Sequence, residues 1–427
     1  MTLRKDDKIV IVGAGCFGVS TAYHLLERGY TDVTILDRSN VLPAPDAASN
    51  DINRIVRSSY DDKFYTLLAR QAIASWKDQE KWGDSYHESG VLVLGLSDTP
   101  YADEAYKNDV ALGASVRTLR DSDAIRSVFP AQVQTGTFAD SAGFLNHDGG
   151  WANAGQGLAR LIDHVKKLNG KFLPGTRVAN LCRDSNGRTT GVQTADGSVL
   201  DASLVIIASG SWTPSTFSEL ELGHVCLATG QSVAMVQLTE SEAEKYRNCP
   251  VVFDFVSGFY VFPPNEKNIV KVAIHATGYT YFKDADTKVS TPRTITSDPE
   301  NGLLIPKPML KTLREELRKI YPELAEKPFI GTRLCWYNDT PDGHWVIGRY
   351  PGDASLVIAT GGSGHAYKFL PVIGRLVADL VEDKLEPEVV EKLAVNKKRT
   401  TADGSRSGEV VQLHLQDLYS PEDLQAV

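Results

Sequence analysis

The chain has 427 residues, of which 42% are hydrophobic and 23% charged, a composition typical of a globular protein with more than one core. Its formal net charge of −9 argues against general affinity for nucleic acid or anionic membranes. No segment approaches the roughly 20 continuous apolar residues of a membrane helix, and residues 1–7 lack the apolar core of a signal peptide. We therefore expect a cytoplasmic monomer without nucleic-acid or membrane partners.

The cysteines are scattered along the chain and show no CxxC spacing. They are odd in number: Cys16, Cys182, Cys226, Cys249 and Cys335. This pattern predicts neither a disulfide framework nor a structural zinc site, and no metal site is expected. The last residues, LQAV, differ from a peroxisomal tripeptide of the SKL type.

The chain begins with a predicted βαβ unit. Residues 8–12 (KIVIV) form a β-branched run that ends in glycines, and residues 16–28 follow with apolar side chains at helical spacing before Gly29. Residues 33–37 (VTILD) predict a second buried strand. Such a unit predicts a parallel sheet.

Two similar strands are predicted far downstream, at residues 204–208 (LVIIA) and 356–359 (LVIA), and each leads into glycines. An apolar helix is predicted after the second, through Phe369, Ile373, Leu376, Val377 and Leu380. Between them, residues 225–275 are spaced like an antiparallel sheet, with strands predicted at 233–236, 251–253, 260–262 and 270–273.

This order predicts two interleaved domains rather than two consecutive ones. The nucleotide-binding domain is expected to comprise residues 1–90, 148–222 and 331–390. The second domain is expected to comprise residues 91–147 and 223–330. Residues 391–427 are expected to form a peripheral tail.

Gly13-Ala14-Gly15-Cys16-Phe17-Gly18 fits GxGxxG between the first predicted strand and helix. The glycines let the backbone approach a pyrophosphate at the helix N-terminus, and Asp37 follows at the separation expected for a carboxylate that binds ribose hydroxyls. A tight structural turn is the alternative. The pattern alone does not separate FAD from NAD, but the strands that return near residues 210 and 361 favour the longer FAD.

Three further motifs carry a resemblance to a known family. They are residues 53–60 (NRIVRSSY), residues 333–342 (RLCWYNDTPD) and residues 362–369 (GSGHAYKF). With the glycine motif they make residues 8–385 resemble the sarcosine oxidase branch of the amine-oxidising flavoproteins. This branch includes sarcosine, pipecolate, saccharopine and fructosyl amino acid oxidases.

The resemblance implies a mixed fold of parallel α/β and antiparallel β structure. An FAD-binding Rossmann-type domain, like that of D-amino acid oxidase in the glutathione reductase class, would be interleaved with a substrate domain on an antiparallel sheet. It implies that Cys335 is joined to the flavin 8α-methyl as a thioether. It further implies these cofactor-binding residues: Gly13, Gly15, Phe17, Gly18, Asp37, Arg38, Ser49, Arg54, Val178, Cys335, Gly364 and Lys368. Ala366 stands where the family has glycine.

By the same resemblance, Arg57 and Lys368 would hold the carboxylate of the substrate, a pairing of a planar fork with a point charge. A solvated surface charge is the alternative for each. Lys271 interrupts an apolar strand and therefore either extends to solvent or is buried for a purpose. The resemblance aligns it with a lysine near flavin N5 that assists oxygen, since a fixed ammonium stabilises the developing anion.

His275 and Tyr260 align with side chains that line the substrate cavity in sarcosine and pipecolate oxidases. Fructosyl amino acid oxidases tend to carry an acidic residue at the position of His275, so the histidine argues against a glycated substrate. A hydrogen-bonded core histidine is the alternative for His275, and an inert buried thiol is the alternative for Cys335.

The expected function is an FAD-dependent oxidase of a secondary-amine amino acid such as sarcosine, pipecolate or saccharopine. The C–N bond is oxidised to an imine that hydrolyses, and O2 is reduced to H2O2. The small amino acid and O2 are the expected partners.

A fructosyl amino acid oxidase is the alternative function. A nicotinamide-dependent dehydrogenase is a more distant alternative, because it leaves Cys335 and residues 362–369 unexplained. Lys271 argues against a flavin dehydrogenase that passes electrons to a partner. A non-catalytic FAD-binding protein would have no use for Arg57 and Lys368 together.

Overall fold

The structure of the protein is a computed structural model that describes residues 3–283, 289–399, 401–406 and 408–425. In chain order its strands are β1 (Ile9–Val12), β2 (Val33–Leu36), β3 (Arg54–Val56), β4 (Tyr86–His87), β5 (Val91–Leu94), β6 (Val116–Leu119), β7 (Gly143–Asn146), β8 (Gly150–Ala152), β9 (Lys171–Leu173), β10 (Val178–Arg183), β11 (Thr189–Thr194), β12 (Val199–Asp201), β13 (Leu204–Ile207), β14 (Leu227–Gln237), β15 (Val251–Asp254), β16 (Phe259–Val261), β17 (Ile269–Ile274), β18 (Tyr279–Thr280), β19 (Phe329–Asp339), β20 (Val346–Tyr350), β21 (Asp353–Thr360) and β22 (Val411–Gln412).

The α-helices lie between these strands and vary from single turns to about four turns. They are α1 (Cys16–Glu27), α2 (Lys63–Trp76), α3 (Gln79–Trp82), α4 (Pro100–Ala111), α5 (Ser122–Arg126), α6 (Ala154–Lys167), α7 (Thr213–Thr216), α8 (Glu240–Tyr246), α9 (Lys307–Ile320), α10 (Pro322–Ala325), α11 (Ile373–Val381) and α12 (Pro387–Leu393). Within the described ranges, no helix is both long and apolar enough to cross a membrane.

A six-stranded sheet in the order β20-β21-β13-β1-β2-β9 carries the nucleotide-binding half of the fold. Strand β1 pairs in parallel with β13 on one side and with β2 on the other, and β13 pairs in parallel with β21. The predicted parallel sheet made from distant pieces of chain is therefore confirmed. Helices α1, α6 and α11 pack on one face, and the antiparallel sheet β10-β11-β12 covers the other. Both faces are buried, as the continuous apolar strands require.

A ten-stranded sheet, antiparallel apart from the β5–β15 and β18–β22 pairs, forms the other half. Its order is β22-β18-β14-β17-β16-β15-β5-β7-β6, and β19 also pairs with β14. The antiparallel strands predicted within residues 225–275 are confirmed as β14 to β17. Helix α9 packs its apolar side on this sheet. The fold class predicted from the sequence is confirmed.

Three features differ from the expectations. The helix predicted to include Phe369 begins only at Ile373, because Val372 has φ −129°, outside the helical region, and Tyr367–Phe369 form a 3-10 turn instead. Strand β19 belongs to the ten-stranded sheet, although residues from 331 onward were assigned to the nucleotide-binding domain. The tail after residue 391, expected to be peripheral, returns to that sheet as β22.

Candidate active site

The glycine motif forms the turn between β1 and α1 with little space to spare. Gly13 has φ +111°, and a Cβ there would lie 2.4 Å from the carbonyl oxygen of Ala208. A Cβ on Gly18 would lie 1.9 Å from the carbonyl oxygen of Gly13, so this glycine allows α1 to pack against the turn. The turn brings backbone N–H groups and the N-terminus of α1 to one end of a cleft of about 1590 Å³.

Nine of the twelve predicted cofactor residues line this cleft, and Gly18, Cys335 and Lys368 do not. The Oδ2 atom of Asp37 accepts a hydrogen bond from the Ala14 N–H at 2.9 Å. Arg38 stacks on the Trp212 ring at 4.0 Å. Ser49 Oγ accepts the N–H of Cys16 at the start of α1. The remaining predicted cofactor residues on the cleft wall are Gly13, Gly15, Phe17, Arg54, Val178 and Gly364.

A dinucleotide fits this cleft. The glycine turn supplies close backbone approach, and the Asp37 carboxylate stands where ribose hydroxyls need an acceptor. On the cleft wall, buried side-chain atoms of Asp46 (Oδ1) and Arg293 (Nε and Nη1) have no hydrogen-bond partner within the described part of the chain. Sequence reasoning missed both, because neither lies in a recognisable motif.

A second cavity of about 90 Å³ adjoins the cleft. Four residues line both the cleft and this cavity: Arg54, Tyr337, Gly364 and Tyr367. Four of the predicted catalytic residues line this second cavity: Arg57, Tyr260, His275 and Lys368. Residues of β3, β16 and β19, of the segments just after β3 and β17, and of the loop before α11 therefore meet here, although the chain separates them by up to about 300 positions.

Arg57 is 4% exposed and lies in an aromatic cage. Its guanidinium carbon is 4.4 to 5.9 Å from the ring centroids of Tyr60, Tyr101, Phe253 and Phe255. Nη2 donates to the Tyr101 hydroxyl at 3.4 Å, whereas Nη1 has no hydrogen-bond partner among the residues that the structure describes. A buried guanidinium with an unused donor facing a cavity is suited to an anionic ligand.

The loop that carries Arg57 is fixed by buried hydrogen bonds. Ser58 and Ser59 each donate to the Asp109 carboxylate of α4 at 2.6 Å, and Asn146 of β7 also donates to it. These bonds explain the two serines that follow Arg57 in the sequence, since a buried carboxylate needs several donors.

Lys368 lies opposite, in the 3-10 turn before α11. Its Nζ donates to the Tyr60 hydroxyl at 2.8 Å and to the His365 carbonyl at 3.0 Å. Burial and the Arg57 charge lower the pKa of Lys368 well below its usual value. A carboxylate between the two cations would raise that pKa again. We call these two residues the Arg57–Lys368 pair.

Lys271 and Cys335 lie behind the cavity wall rather than on it. Lys271 is fully buried on β17, and its Nζ donates to Asp51 Oδ2 at 3.0 Å and to the Asn53 carbonyl at 2.6 Å. Arg54 also donates to Asp51, and its Nη2 lies 3.1 Å from Cys335 Sγ on β19. We call Asp51, Arg54 and Lys271 the Asp51 cluster. Asp51 is a residue that sequence reasoning missed, although its spacing from Arg54 is that of an i,i+3 ion pair.

His275 and Tyr260 both line the second cavity. Burial and the Arg406 charge lower the pKa of His275 well below its usual value, so the imidazole is neutral at neutral pH. Burial raises the pKa of the Tyr260 hydroxyl well above its usual value, so it keeps its proton as a hydrogen-bond donor. Both side chains can therefore make neutral polar contacts with a ligand.

The tail contributes to this cavity, which the expectation of a peripheral segment did not foresee. Ser405 Oγ lies 3.1 Å from His275 Nε2, and Asp403 also lines the cavity. Arg406 Nε lies 3.3 Å from the same imidazole nitrogen, and its guanidinium donates twice to Asp339, at 2.7 and 2.9 Å. This ion pair binds the tail to the end of β19, which explains why the tail lies beside the second cavity.

No group of three His, Cys, Asp or Glu side chains suited to a metal ion occurs in the described part of the chain. All five cysteines are free thiols. The second cavity presents the cations Arg54, Arg57 and Lys368, the carboxylates Asp342 and Asp403, and neutral polar groups.

Comparisons with known proteins agree with this geometry. A profile of the family described as FAD dependent oxidoreductase matches residues 8–380. L-saccharopine oxidase of Schizosaccharomyces pombe is 32% identical over 400 residues, which are 89% of this chain and 91% of that protein. The peroxisomal sarcosine oxidase of Homo sapiens is 26% identical over 396 residues, which are 89% and 93%.

Among solved structures, fructosyl amine: oxygen oxidoreductase (Amadoriase I) from Aspergillus fumigatus is similar with a TM-score of 0.81 and 30% identity, covering 93% of this chain and 91% of that one. The predicted FAD cofactor is confirmed by the family match. Because the profile spans most of the sequence and the named relatives are oxidases, the chain belongs to the FAD dependent oxidoreductase family and is a flavoprotein oxidase.

Proposed function

We propose that this oxidase acts on an amino acid with a secondary amine and that the Arg57–Lys368 pair binds the substrate carboxylate. The observation that carries the proposal is the unpartnered Nη1 of Arg57, which is buried in the wall of a cavity that adjoins the FAD cleft. Charge-assisted hydrogen bonds from the planar guanidinium of Arg57 and the ammonium of Lys368 would orient a carboxylate at one end of the substrate.

The rest of the cavity supports this orientation. The aromatic rings around Arg57 exclude water and strengthen its attraction for an anion. Tyr260 and neutral His275 offer polar contacts without a competing charge. FAD, when bound in the cleft, accepts the two electrons of amine oxidation and delivers them to O2. The protein's task is then to aim the substrate at the cofactor.

Among secondary-amine substrates we favour saccharopine, because the S. pombe relative is named L-saccharopine oxidase. Sarcosine and pipecolate belong to the same chemical class. A glycated amino acid is the second candidate, and the likeness to Amadoriase I favours it. His275 stands where fructosyl amino acid oxidases tend to carry an acidic residue, which argues against this candidate, whereas the Asp342 and Asp403 carboxylates on the cavity wall are available as acceptors for sugar hydroxyls and favour it.

The substrate class is tested by peroxide production from a panel of amino acids. We expect saccharopine, pipecolate or sarcosine to produce H2O2 faster than fructosyl valine or fructosyl lysine. Simple secondary amines without a carboxylate serve as the matched control and should be poor, because the contacts of the Arg57–Lys368 pair are lost. A panel in which glycated amino acids react faster by a wide margin would contradict the choice of substrate while leaving the oxidase assignment in place.

We further propose that Cys335 holds FAD covalently as a thioether to the 8α carbon. The thiol lies on β19 beside Arg54, which lines the cleft and donates to Sγ at 3.1 Å. Mass spectrometry of the digested enzyme should find the Cys335 peptide heavier by one FAD, and Cys335→Ala should release free flavin on acid denaturation. Cys249→Ala is the control, since Cys249 is an equally buried thiol whose side-chain partner is Tyr321 and which lines neither cavity. An unmodified Cys335 peptide in yellow, active enzyme would end this part of the proposal.

We also propose a monomer, a cytoplasmic location and two interleaved domains, with β19 and β22 assigned to the domain of the ten-stranded sheet. Light scattering during gel filtration should give a mass near 46.6 kDa plus cofactor for a monomer. Cell fractionation tests the location, and limited proteolysis tests the boundaries, because cleavage concentrates in exposed connections between domains.

A further inference from the structure

Asp51 lies in the loop before β3, and its buried carboxylate faces several cations. Its Oδ2 accepts a hydrogen bond from Lys271 Nζ at 3.0 Å and another from Arg54 Nη1. The charge of Arg333 on β19 acts on the same carboxylate, while its Nη1 donates to the neighbouring Asn50 carbonyl at 2.5 Å. These positive charges hold the pKa of Asp51 below its usual range despite burial, so the carboxylate is ionised.

Lys271 depends on that carboxylate for its charge. Its side chain is fully buried on β17, and its Nζ lies 4.7 Å from the Phe262 ring centroid. The titratable groups that face it are Asp51 and Arg54 from the loop and β3, and Cys335 from β19. The pKa of Lys271 is lowered to about 7 in total. Burial and the charge of Arg54 lower this pKa, and the Asp51 carboxylate raises it. Of these partners, Asp51 is the one that forms an ion pair with the ammonium.

Asp51 acts on the active site through other residues. It is absent from the walls of both cavities as far as the structure describes them, whereas Arg54 lines both. Arg54 uses Nη1 for Asp51 and Nη2 for the Cys335 thiol and the Ala48 carbonyl. The carboxylate thus fixes the guanidinium on the side away from the cavities and leaves its other edge against Cys335.

We propose that Asp51 is a positioning residue that keeps the Lys271 ammonium charged near neutral pH and holds the Arg54 guanidinium against Cys335. The role of this charge in oxygen reduction rests on the proposed function, but the ion pair itself does not depend on the substrate. A neutral residue at position 51 removes the group that favours protonation of Lys271 and leaves the opposing charge of Arg54 in place. The pKa of Lys271 therefore falls, and the amine is neutral at pH 7.

The test is a titration of Lys271 in the oxidised holoenzyme labelled with 13Cε-lysine. The Lys271 resonance is assigned by its loss in Lys271→Met. Its midpoint should lie near pH 7 in the wild type, and it should fall by about 1 to 3 pH units in Asp51→Asn, the usual effect of one close opposite charge. Asp51→Glu should restore most of the shift. Asp353→Asn is the matched control, because Asp353 is also a buried, ion-paired carboxylate but lies on β21 beside Arg183, away from both cavities.

A kinetic readout accompanies the titration. The rate constant for reoxidation of the reduced enzyme by O2 should decrease as pH rises through the Lys271 midpoint, and in Asp51→Asn this decrease should move to lower pH by the same amount. Equal Lys271 midpoints in the wild type and Asp51→Asn would overturn the proposal. A shifted midpoint in an enzyme that oxidises no secondary-amine amino acid would support it and refute only the proposed substrate class.

A double-mutant cycle covers the case in which Asp51→Asn folds poorly. Lys271→Met and the Asp51→Asn/Lys271→Met double variant complete the cycle, with Tm as the measurement. Removal of the unpaired amine should make the double variant less destabilised than the sum of the two single variants. Additive losses of Tm would show that the two side chains do not act as a pair and would overturn the proposal.

Discussion

Two groups of buried cations lie at or next to the second cavity, and they differ in how their charge is balanced. In the Asp51 cluster, Lys271 and Arg54 share a carboxylate that belongs to the protein. In the Arg57–Lys368 pair, neither cation forms an ion pair with any residue that the structure describes; their partners are tyrosine hydroxyls and a carbonyl. A buried charge without a counter-ion is costly. The charges of the first group are therefore balanced within the protein, whereas we propose that an anionic substrate balances the second.

The largest effect is expected from loss of the Lys271 charge. Lys271→Met should slow the reoxidation of reduced enzyme by O2 by on the order of 10²–10³, the usual effect of removing one preorganised charge that stabilises a developing anion. Anaerobic reduction by substrate should change much less, because the Arg57–Lys368 pair is intact. Stopped-flow absorbance of the flavin separates these two half-reactions.

The control for this variant is Lys267→Met, the same substitution at an exposed position just before β17. It should leave both half-reactions unchanged. An equal decrease in the rate constants of flavin reduction and flavin reoxidation in Lys271→Met would contradict the separate roles of the two groups of cations. It would show that Lys271 serves substrate oxidation as well.

A smaller and more selective effect is expected from the uncompensated group. Arg57→Ala should lower kcat/KM for an acidic substrate by about 10- to 150-fold, because a hydrogen bond to a charged group contributes about 1.5–3 kcal/mol. The amide analogue of the same substrate should lose little. Arg57→Lys retains the charge and should recover part of the activity, since it lacks only the planar fork. Steady-state peroxide assays of both substrates measure the difference.

Equal losses for the acid and the amide would contradict carboxylate binding at Arg57 and would indicate that the aromatic cage had collapsed. Arg70→Ala is the matched control: Arg70 lies on α2, partly exposed, and its partner is Asp148 rather than a cavity residue. Its kinetics for both substrates should equal those of the wild type.

The two groups of cations also differ in how far they could be predicted from the sequence. Arg57 and Lys368 lie in motifs that resemble a known family, and the cavity joins them as expected. The βαβ unit was equally predictable, because its glycines and apolar strands are local in the chain. Asp51 was missed, because its importance comes from a hydrogen bond to a residue 220 positions away. The tail was placed at the periphery because its polar composition carries no sign of the Arg406–Asp339 ion pair. Contacts between distant side chains decide both cases, and no periodicity or motif encodes them.

The smallest effect is expected at the tail, and it tests whether that segment belongs to the substrate cavity. Ser405→Ala removes the hydroxyl 3.1 Å from His275 Nε2 but leaves Arg406 beside the same nitrogen. The imidazole is neutral, so the lost contact is a hydrogen bond between neutral groups, which contributes about 0.5–1.5 kcal/mol. We therefore expect KM to rise by about 2- to 10-fold with little change in kcat, provided that His275 contacts the substrate. Ser420→Ala is the control, because Ser420 caps the last turn of the same tail far from the cavity and should leave KM unchanged while it lowers Tm slightly. Identical KM values for the two variants would show that the tail covers the cavity without orienting His275. A rise confined to Ser405→Ala would make the tail part of the substrate site, beside the Arg57–Lys368 pair.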